Sequence, residues 1–577
     1  MTQKITVTGL ILLAVAVIPV MAQQEDAPAT LLPDIDPQDI EIRGEFDVRF
    51  QGLSRQPILG FSPRRPVFRV DPDRMPFIES DDEIVAAVPL SDLEPALKPE
   101  KQFVRFSDRR RGLAQAGSGF FMSPDLAVIS EMPVRENQSL GLDFRHHSSE
   151  GDRDFSSFRD LNGEVQWTGR AGSHRWGLGV SGESNFNYSP LGYTSPVTGT
   201  PHGITVDSLS ALRLSQYSFG MEGRWEYLEN AWRGWQSSAE IRHFDNRGEQ
   251  LAGNELGTSE TRYSIDLNRF REGSQMEQIF GYQLRSSGAF YDTGGDDTGS
   301  WFTNTAGARY RHVFGHAHLV EAWLRFYQLY DPVNEFDLYL YPDVRYKYQG
   351  AGRFSATLQM RGFVNDPSLS KIYDENRFSF QRELDVEHER GLHIRLHSGI
   401  MIRSNLKAYT GMDYWQYYNL GYFNNFENLP WVYYEKHYTE DATHVEWYSG
   451  LTHDGSALRS TTTVEFGLNY SSVDKDVIPS GEIPYVPRWR VSAHFMTRPV
   501  DRLEMSTWLN AVGTRKTARN NETVDGYLQL GLRTDLRILD SFGVYFKALN
   551  LLDQEYQVWQ NYNERPLQIY GGITLRW

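Results

Sequence analysis

The final eleven residues alternate between apolar and polar positions. In an extended chain such a segment has one apolar and one polar face, because successive side chains point to opposite sides. The apolar face carries Leu567, Ile569, Ile573, Leu575 and Trp577, and the polar face carries Gln568, Thr574 and Arg576. A soluble β-sandwich would bury this apolar face, whereas a membrane barrel would turn it to lipid. This segment alone leaves both folds open.

Other segments place charges on the polar face. Residues 527–538 oppose five aliphatic side chains (Leu528, Leu530, Leu532, Leu536, Ile538) to Gln529, Arg533, Asp535 and Arg537. Three charges on one face are too costly for a dry core. Residues 462–470 and 487–496 alternate in the same way. The polar faces are therefore predicted to contact water while the apolar faces contact hydrocarbon.

The links between these strands alternate in length. Counting back from Trp577, residues 557–566, 514–523, 472–487 and 421–442 are long links, and "LDSFG", "TRPVD" and "HDGSA" are short ones. Outer-membrane barrels have this asymmetry, with short periplasmic turns and long external loops. By this parity Trp577 lies at the periplasmic edge, where an aromatic ring is favourable.

The sequence thus predicts an all-β fold, a transmembrane antiparallel β-barrel of about 20 strands over residues 117–577. The count stays between roughly 18 and 22, with an even number expected, because residues 117–135 and 365–400 are ambiguous. Pro342 falls inside a predicted strand, where it would remove a ladder bond unless it lies at a bulge or strand end.

The N-terminal fifth of the chain differs in character. Lys4 and the apolar run 5–20 predict a signal peptide over residues 1–22, cleaved after Ala22. Residues 23–116 are rich in proline and acid, which predicts a mostly irregular arm that is periplasmic or occupies the lumen. The arm contains the basic triplet Arg109, Arg110 and Arg111, which we interpret as a solvated face rather than a lipid or partner contact.

Composition narrows the class of protein. The chain has 577 residues, 13% aromatics and no cysteine, so it forms no disulfide and no cysteine-ligated metal site. Its mean hydropathy is only -0.52, which suits a barrel with a wet interior. The formal net charge of -17 argues against nucleic acid as a partner.

Four stretches near the end of the chain carry a family resemblance. They are "IPYVPRWRVSAHF", "YLQLGLRTDLRI", "FKALNLLDQEYQ" and "YGGITLRW", the most specific part being Asn550 to Tyr556. In order and spacing they resemble the distal barrel of TonB-dependent outer-membrane receptors. The spacing of Gly572, Leu575 and Trp577 resembles the C-terminal signal by which the barrel assembly machinery recognises such proteins.

This resemblance implies a barrel plugged by an N-terminal domain, a TonB-contacting box, and energised import of scarce ligands. The arm is shorter than that family's plug and lacks its continuous strand pattern, so the plug is expected to be reduced or absent. Residues 39–44 have a faint likeness to a TonB box or to the plug's Ile-Arg-Gly turn. We interpret them as an extended segment lying against the barrel.

The link 421–442 is the strongest candidate for ligand binding. It carries seven rings in 22 residues: Tyr422, Phe423, Phe426, Trp431, Tyr433, Tyr434 and Tyr438. Such rings stack on sugars or aromatic ligands. They could equally form an aromatic girdle or pack the loop into the lumen.

No enzymatic motif or cofactor site is predicted. His146 and His147 would point to opposite faces of a strand, and His316 and His318 flank a tight turn without a visible third ligand. No nucleophile elbow, phosphate loop or metalloprotease motif occurs. The sequence therefore predicts no catalytic residues, no metal site and no cofactor.

Three functions in the bacterial outer membrane stay open at this point. The first is a transport or ligand-uptake component, which either acts through an unusually short plug of its own or lends its pore to a partner; its possible partners are TonB and a plug-bearing protein. The second is a passive pore. The third is a structural or assembly scaffold that holds a partner through the arm. All three share the outer-membrane lipid and the barrel assembly machinery as partners.

Overall fold

The computed structural model describes residues 111–151, 156–189, 212–230, 233–249, 255–272, 278–292, 298–314, 317–350, 353–379, 381, 386–425, 434–456, 459–519, 522–560 and 562–577. By its contacts the chain divides into Met1–Ala86, outside these residues, and Ala87–Trp577. The predicted signal peptide, residues 39–44, Arg109 and Arg110 lie outside the described residues, as does all of the arm before residue 111.

The described residues form 27 strands and one short helix. The strands of the first half are Gly112–Gly119 (β1), Ser123–Arg135 (β2), Gln138–Ser149 (β3), Phe158–Ala171 (β4), His174–Ser189 (β5), Leu212–Asn230 (β6), Arg233–Glu249 (β7), Glu255–Glu272 (β8), Gln278–Asp292 (β9), Thr298–Phe314 (β10), His318–Asp331 (β11), Glu335–Gln349 (β12) and Phe354–Asn365 (β13). Helix α1, Leu369–Glu375, follows.

The second half contains Glu389–Arg403 (β14), Leu406–Asn425 (β15), Tyr434–Thr439 (β16), Ala442–Gly455 (β17), Ser460–Ser472 (β18), Trp489–Val500 (β19), Leu503–Val512 (β20), Arg515–Lys516 (β21), Thr523–Val524 (β22), Tyr527–Arg537 (β23), Phe542–Leu549 (β24), Gln557–Trp559 (β25), Tyr562–Asn563 (β26) and Gln568–Arg576 (β27). Among the described residues, no helix has both the length and the hydropathy needed to cross a membrane.

Twenty-two of these strands form one closed antiparallel barrel. Each pairs with the next along the chain, and β27 pairs with β1 from Leu113↔Arg576 to Gly119↔Tyr570. The remaining strands lie in the links. Strand β16 pairs with the last residues of β15, from Leu420↔Thr439 to Asn425↔Tyr434. Strand β21 pairs with β22, and β25 pairs with β26. The fold class and strand range are confirmed, and β1 begins at Gly112, ahead of the predicted boundary at 117.

The two faces of the wall differ as the alternation predicts. Outward positions are aliphatic or aromatic and stay exposed, for example Leu178 at 54%, Ile265 at 54% and Leu340 at 61%. Inward positions carry charges, and in β23 Arg533 and Asp535 face the lumen and pair with each other at 2.7 Å. A closed sheet has no free edge strand, so the ladders satisfy the backbone groups of the wall wherever neighbouring strands pair.

The links sort by length onto the two ends of the barrel. One end, the short-turn rim, carries two-residue turns such as Glu136–Asn137 and Gly172–Ser173, and it holds Trp577. The other end, the long-loop rim, carries 366–388, 473–488, 513–526 and 550–567. The predicted alternation over the last third of the chain is therefore present, with Trp577 at the short-turn rim.

Pro342 lies in the middle of β12 and not at a bulge. On one side Pro342 is the register partner of Leu324 in β11. On the other side the ladder between β12 and β13 begins only at the next residue, with Asp343↔Arg361. A proline has no N–H to donate. The half of β12 nearer the long-loop rim, from Glu335 to Pro342, is thus paired on one side only.

Candidate functional site

Paired charges cover the lumen wall along β13 to β19. Asp413 Oδ1 lies 2.7 Å from both His393 Nε2 and Arg395 Nε, and Arg490 pairs with Glu446 at 2.6 Å. Within the described part of the chain, no group of three or more acidic, histidine or cysteine side chains is arranged to hold a metal. The lumen is polar and its charges are mostly matched by close partners.

The link between β13 and β14 folds into the mouth of the barrel. We call residues 366–388 the mouth segment; it is described except for residues 380 and 382–385. At its start Asp366 accepts hydrogen bonds from Ser287 at 3.1 Å and Thr303 at 2.9 Å, and it pairs with Arg285 at 3.4 Å. The segment therefore turns at once towards β9 and β10.

Glu260 of β8 caps helix α1. Its carboxylate accepts hydrogen bonds from Ser368 Oγ at 2.8 Å, from the backbone N–H of Ser370 at 3.3 Å, and from the N–H of Leu369. A carboxylate at this position satisfies otherwise unpaired N–H groups and complements the helix dipole. Glu260 is only 1% exposed. The N-cap residue Ser368 makes no side-chain cap of its own, so the wall of the barrel supplies it through Glu260.

The middle of the mouth segment reaches further around the barrel. Tyr373 stacks on Phe244 of β7 with ring centres 5.2 Å apart, and its hydroxyl is 3.1 Å from Thr258 Oγ1. Arg377 donates to Asn187 of β5 at 3.2 Å. A segment that begins at β13 and contacts β5 crosses the mouth rather than lining its own side.

Both ends of the mouth segment meet on one hydroxyl. Thr303 Oγ1 contacts Asp366 at 2.9 Å and His388 Nε2 at 2.9 Å, and His388 Nδ1 lies 2.8 Å from Asp331. His388 and Asp331 are 1% and 2% exposed at their side chains. The segment is therefore held as a closed bridge by buried polar contacts.

A cluster of rings covers the mouth segment from the loop side. Tyr434 of β16 is fully buried and lies 5.3 Å from Trp559 and 5.8 Å from both Tyr485 and Tyr562, measured between ring centres. Its hydroxyl donates to the carbonyl of Gln560 at 2.7 Å. Burial raises the pKa of Tyr434 well above its ordinary value.

Lys436 ties this ring cluster to the mouth segment. Its Nζ pairs with Glu375 at 2.7 Å and with Glu389 at 2.9 Å, and its side chain is 7% exposed. Burial opposes the charge, but the carboxylates of Glu389 and Glu375 outweigh it and raise the pKa of Lys436. The side-chain amide oxygen of Gln381 also accepts a hydrogen bond from the backbone N–H of Lys436 at 3.0 Å. Four links are thus joined over the mouth: the mouth segment and the links that carry Lys436, Tyr485 and Trp559.

The structure separates the predicted ring residues. Tyr434 is buried in the ring cluster, Tyr422 and Tyr438 are half-buried, and Phe423 is buried against Trp559 at 5.2 Å. Phe426, Trp431 and Tyr433 lie outside the described residues. Ligand binding by residues 421–442 stays a prediction, and among its described rings Tyr434 and Phe423 belong to the buried cluster.

The predicted assembly-signal residues lie at the closing seam. Leu575 and Trp577 point outwards, 45% and 52% exposed, whereas Gly572 faces the lumen. A Cβ on Gly572 would lie 2.4 Å from the carbonyl oxygen of Ala116 and 2.5 Å from Tyr545 Cε1. A larger residue at position 572 would therefore clash in the folded barrel, which explains the glycine on steric grounds. Its role as an assembly signal stays a prediction.

The histidine pair 146–147 divides between the two faces. His147 faces the lumen, 5.1 Å from Phe158 and 5.3 Å from Tyr570 between ring centres, and His146 is the outward neighbour of Ser148 at 3.1 Å. His318 stacks on Phe314 at 5.1 Å, and His316 lies outside the described residues.

Sequence reasoning missed the mouth segment. The only signal was the loss of alternation over residues 365–400. The sequence does not mark Glu260 or Thr303 as contacts of the mouth segment. Each is a polar residue on the inward face of a strand, like many others, and its partner lies about 100 residues away along the chain.

Solved structures share the fold of this barrel. The siderophore receptor PirA from Acinetobacter baumannii aligns over 82% of this chain and 81% of its own, with a TM-score of 0.64 and 11% identity. The FrpB iron transporter from Neisseria meningitidis aligns over 82% of each chain, with a TM-score of 0.64 and 9% identity. The ferric-catecholate import receptor Fiu from E. coli K12 aligns over 81% of this chain and 82% of its own, with a TM-score of 0.62 and 10% identity. No family model and no curated protein matches the sequence.

The chain has the barrel fold of TonB-dependent outer-membrane receptors. At these identities the likeness concerns the fold. The resemblance seen in the last 100 residues therefore extends, as a fold, over the whole receptor-type barrel.

Proposed function

We propose that the protein is an outer-membrane transport component that takes up a ligand through the long-loop mouth of its barrel. The observation that carries this proposal is a 22-stranded barrel with a charged lumen whose mouth is crossed by an anchored segment. A barrel of this size is wide enough to need obstruction. Solved structures with this fold are import receptors and metal transporters.

The predicted arm up to residue 110 completes this proposal from the periplasmic side, because Gly112–Gly119 already forms strand β1 of the wall. It occupies the lumen beneath the mouth segment, or it binds TonB or a plug-bearing partner. The long-loop rim then faces the exterior, and the short-turn rim with Trp577 faces the periplasm, as the loop asymmetry favours. The outward apolar belt contacts outer-membrane lipid after insertion by the assembly machinery. No catalytic role is proposed.

The ring-rich link 421–442 is the proposed capture site at the mouth. Rings offer a large contact area at a small loss of side-chain entropy. Lys436, Glu375 and Glu389 couple this link to the mouth segment. A ligand that displaces the rings would therefore loosen the bridge across the lumen.

Conductance in planar bilayers tests the proposal. The full mature chain is expected to stay closed in potassium chloride, and a chain lacking residues 23–110 is expected to open brief channels limited by the mouth segment. Steady open channels from the full chain would contradict uptake by a gated receptor and would favour the passive pore. A chain that stays closed after deletion of the arm would favour the scaffold.

Energy coupling is a separate test in cells. If TonB drives uptake, collapse of the proton-motive force abolishes accumulation of the ligand. Uptake that survives this collapse would contradict the energised form while leaving the barrel's transport role in place.

A further inference from the structure

The wall of the barrel is split between β12 and β13 near the long-loop rim. The ladder of these two strands ends at Asp343↔Arg361, although both strands continue beyond it, β12 beside β11 and β13 beside β14. No backbone hydrogen bond between described residues joins 339–342 of β12 to 362–365 of β13. We call these two stretches, which face each other without pairing, the split.

An unbroken register would close the split. Continued past the end of the ladder, it places Val364 beside Leu340 and Asp366 beside Leu338. Leu338 and Leu340 point outwards and are 55% and 61% exposed, so this edge of β12 lies where the wall meets hydrocarbon. Unpaired backbone groups are costly there. The surroundings of the wall therefore favour pairing across the split.

The mouth segment holds the end of β13 away from that position. The carboxylate of Asp366 accepts hydrogen bonds from Thr303 of β10 at 2.9 Å and from Ser287 of β9 at 3.1 Å. At the usual strand spacing, β10 and β9 lie about 10 and 14 Å beyond β12. Asp366 cannot make these contacts and lie beside Leu338 at the same time. Anchoring of the mouth segment and pairing across the split therefore exclude each other.

Side chains fill the space that β13 leaves. Arg390 Nη1 of β14 pairs with Asp337 of β12 at 3.1 Å, and its guanidinium lies 4.8 Å from the centre of the Tyr339 ring. Because β13 is the strand between β14 and β12, this ion pair spans the place where the end of β13 would pair. Nearer the ladder, Tyr341 lies against Gly362, where a Cβ would meet Tyr341 Cγ at 2.3 Å. The split is thus closed by side chains instead of a ladder.

We propose that β13 is a two-state strand that couples the mouth of the barrel to its wall. In the bridging state, which is the one described above, Asp366 anchors the mouth segment across the lumen and Arg390 holds the split. In the paired state, residues 362–365 pair with residues 339–342, Arg390 leaves Asp337, and Asp366 leaves β9 and β10. Release of the mouth segment favours pairing, and pairing favours release. The inference does not use the transport role proposed above.

Disulfide formation tests this coupling, because the chain has no cysteine of its own. Leu340→Cys with Val364→Cys places a cysteine pair across the split, and these cysteines can bond only when their Cα atoms come within about 7 Å. Val344→Cys with Met360→Cys is the matched control, since the ladder already pairs these residues. The control lies four positions further along the same strands, at the same place in the hydrogen-bond alternation. Both pairs therefore meet the same geometric limits.

Each cysteine pair is oxidised in the full mature chain reconstituted into bilayers, and the bonded fraction is followed by mass spectrometry after free thiols are blocked. The control pair is expected to bond fast in every background. The split pair is expected to bond slowly, and about ten-fold faster with either Asp366→Asn or Arg390→Gln. Arg459→Gln, which breaks an ion pair with Asp501 at the short-turn rim, is expected to leave that rate unchanged.

The disulfide also tests the coupling in the reverse direction. With the split pair oxidised, trypsin is expected to cut at Lys371 and Arg377 of the mouth segment about ten-fold faster than with the pair reduced. Heat-modified gel mobility shows that each variant is folded. A split pair that never bonds while the control pair does would overturn the paired state. A split pair that bonds equally fast with and without Asp366→Asn and Arg390→Gln, or that leaves trypsin cleavage unchanged, would overturn the coupling.

Discussion

The hydroxyl of Tyr545 donates a hydrogen bond to Asp125 Oδ2 over 2.9 Å, across the seam that closes the barrel. Strand register places Tyr545, Gly572, Gly117 and Asp125 in one row over β24, β27, β1 and β2. The tyrosine ring lies over the two glycines, whose missing side chains give it room. Gln115 adds a second donor to Asp125 at 3.0 Å. The first and last strands are therefore bridged from inside the lumen as well as by their ladder.

Gly572→Ala is expected to disrupt this seam. The new methyl group would meet the Ala116 carbonyl and the Tyr545 ring at less than 3.0 Å, and overpacking of this kind destabilises by about 1–3 kcal/mol. The neighbouring Gly571→Ala is the control, because its Cβ would point outwards and meet only the Tyr545 carbonyl oxygen at 3.9 Å. The temperature at which the folded band is lost in gel mobility measures both. Equal temperatures for the two variants would show that Gly572 has no steric role in closure.

Glu260→Gln is expected to loosen the mouth segment. The amide cannot accept all of the hydrogen bonds that the carboxylate takes from Ser368, Leu369 and Ser370, and loss of hydrogen bonds to a buried charge amounts to about 1.5–3 kcal/mol. Limited proteolysis should then cut within residues 366–388 faster than in the wild type. Glu240→Gln, whose carboxylate pairs with Arg242 on the wall, should leave the cleavage rate unchanged.

Lys436→Met is expected to remove a pH dependence at the mouth. The folded-state pKa of Lys436 lies above its ordinary value of 10.5. Its ion pairs therefore contribute fully below about pH 10.5 and are lost as pH rises through the folded value. Proteolysis of the wild-type mouth segment should accelerate above that pH, whereas the variant should be cut faster already at pH 7. A pH profile shared by both proteins would argue against Lys436 as the link.

Tyr434→Ala and Trp431→Ala should separate packing from capture. Tyr434 is fully buried, so its truncation is expected to destabilise the loop cluster by about 3 kcal/mol. If the link 421–442 captures ligand, Trp431→Ala should weaken binding of a ferric catecholate or an oligosaccharide in calorimetry without changing thermal stability. Binding that is unaffected by Trp431→Ala would remove this ring from the proposed site.

The sequence predicts the wall of the barrel better than its mouth. Inward and outward faces follow from period-two alternation, because each strand meets lipid on one side and water on the other. The alternation alone therefore predicts that Arg533 of β23 faces inwards and Leu532 outwards, and the structure has both in these positions. Links are long at one rim and short at the other, and their lengths can also be read from the local sequence.

Contacts between distant positions leave no such pattern. Nothing in the residues around Glu260 indicates that it caps α1, and Thr303 resembles any inward threonine until Asp366 and His388 meet on it. The sequence leaves open how a strand accommodates Pro342. The ladders of β11 and β13 show that β12 is paired on only one side up to this residue. The sequence marks Gly572 only by its place in a terminal motif, whereas its contact with Tyr545 depends on how β24, β27 and β1 pack.

The division of each strand between lipid and water is the central claim, and single cysteines test it directly because the chain has none of its own. Spin labels at Leu528→Cys, Gln529→Cys and Leu530→Cys of β23, in protein reconstituted into bilayers, would be compared for collision with oxygen and with a water-soluble nickel complex. Residues 528 and 530 should be accessible mainly to oxygen, and residue 529 should not share that preference. Equal access of the nickel complex to all three positions would contradict the membrane barrel.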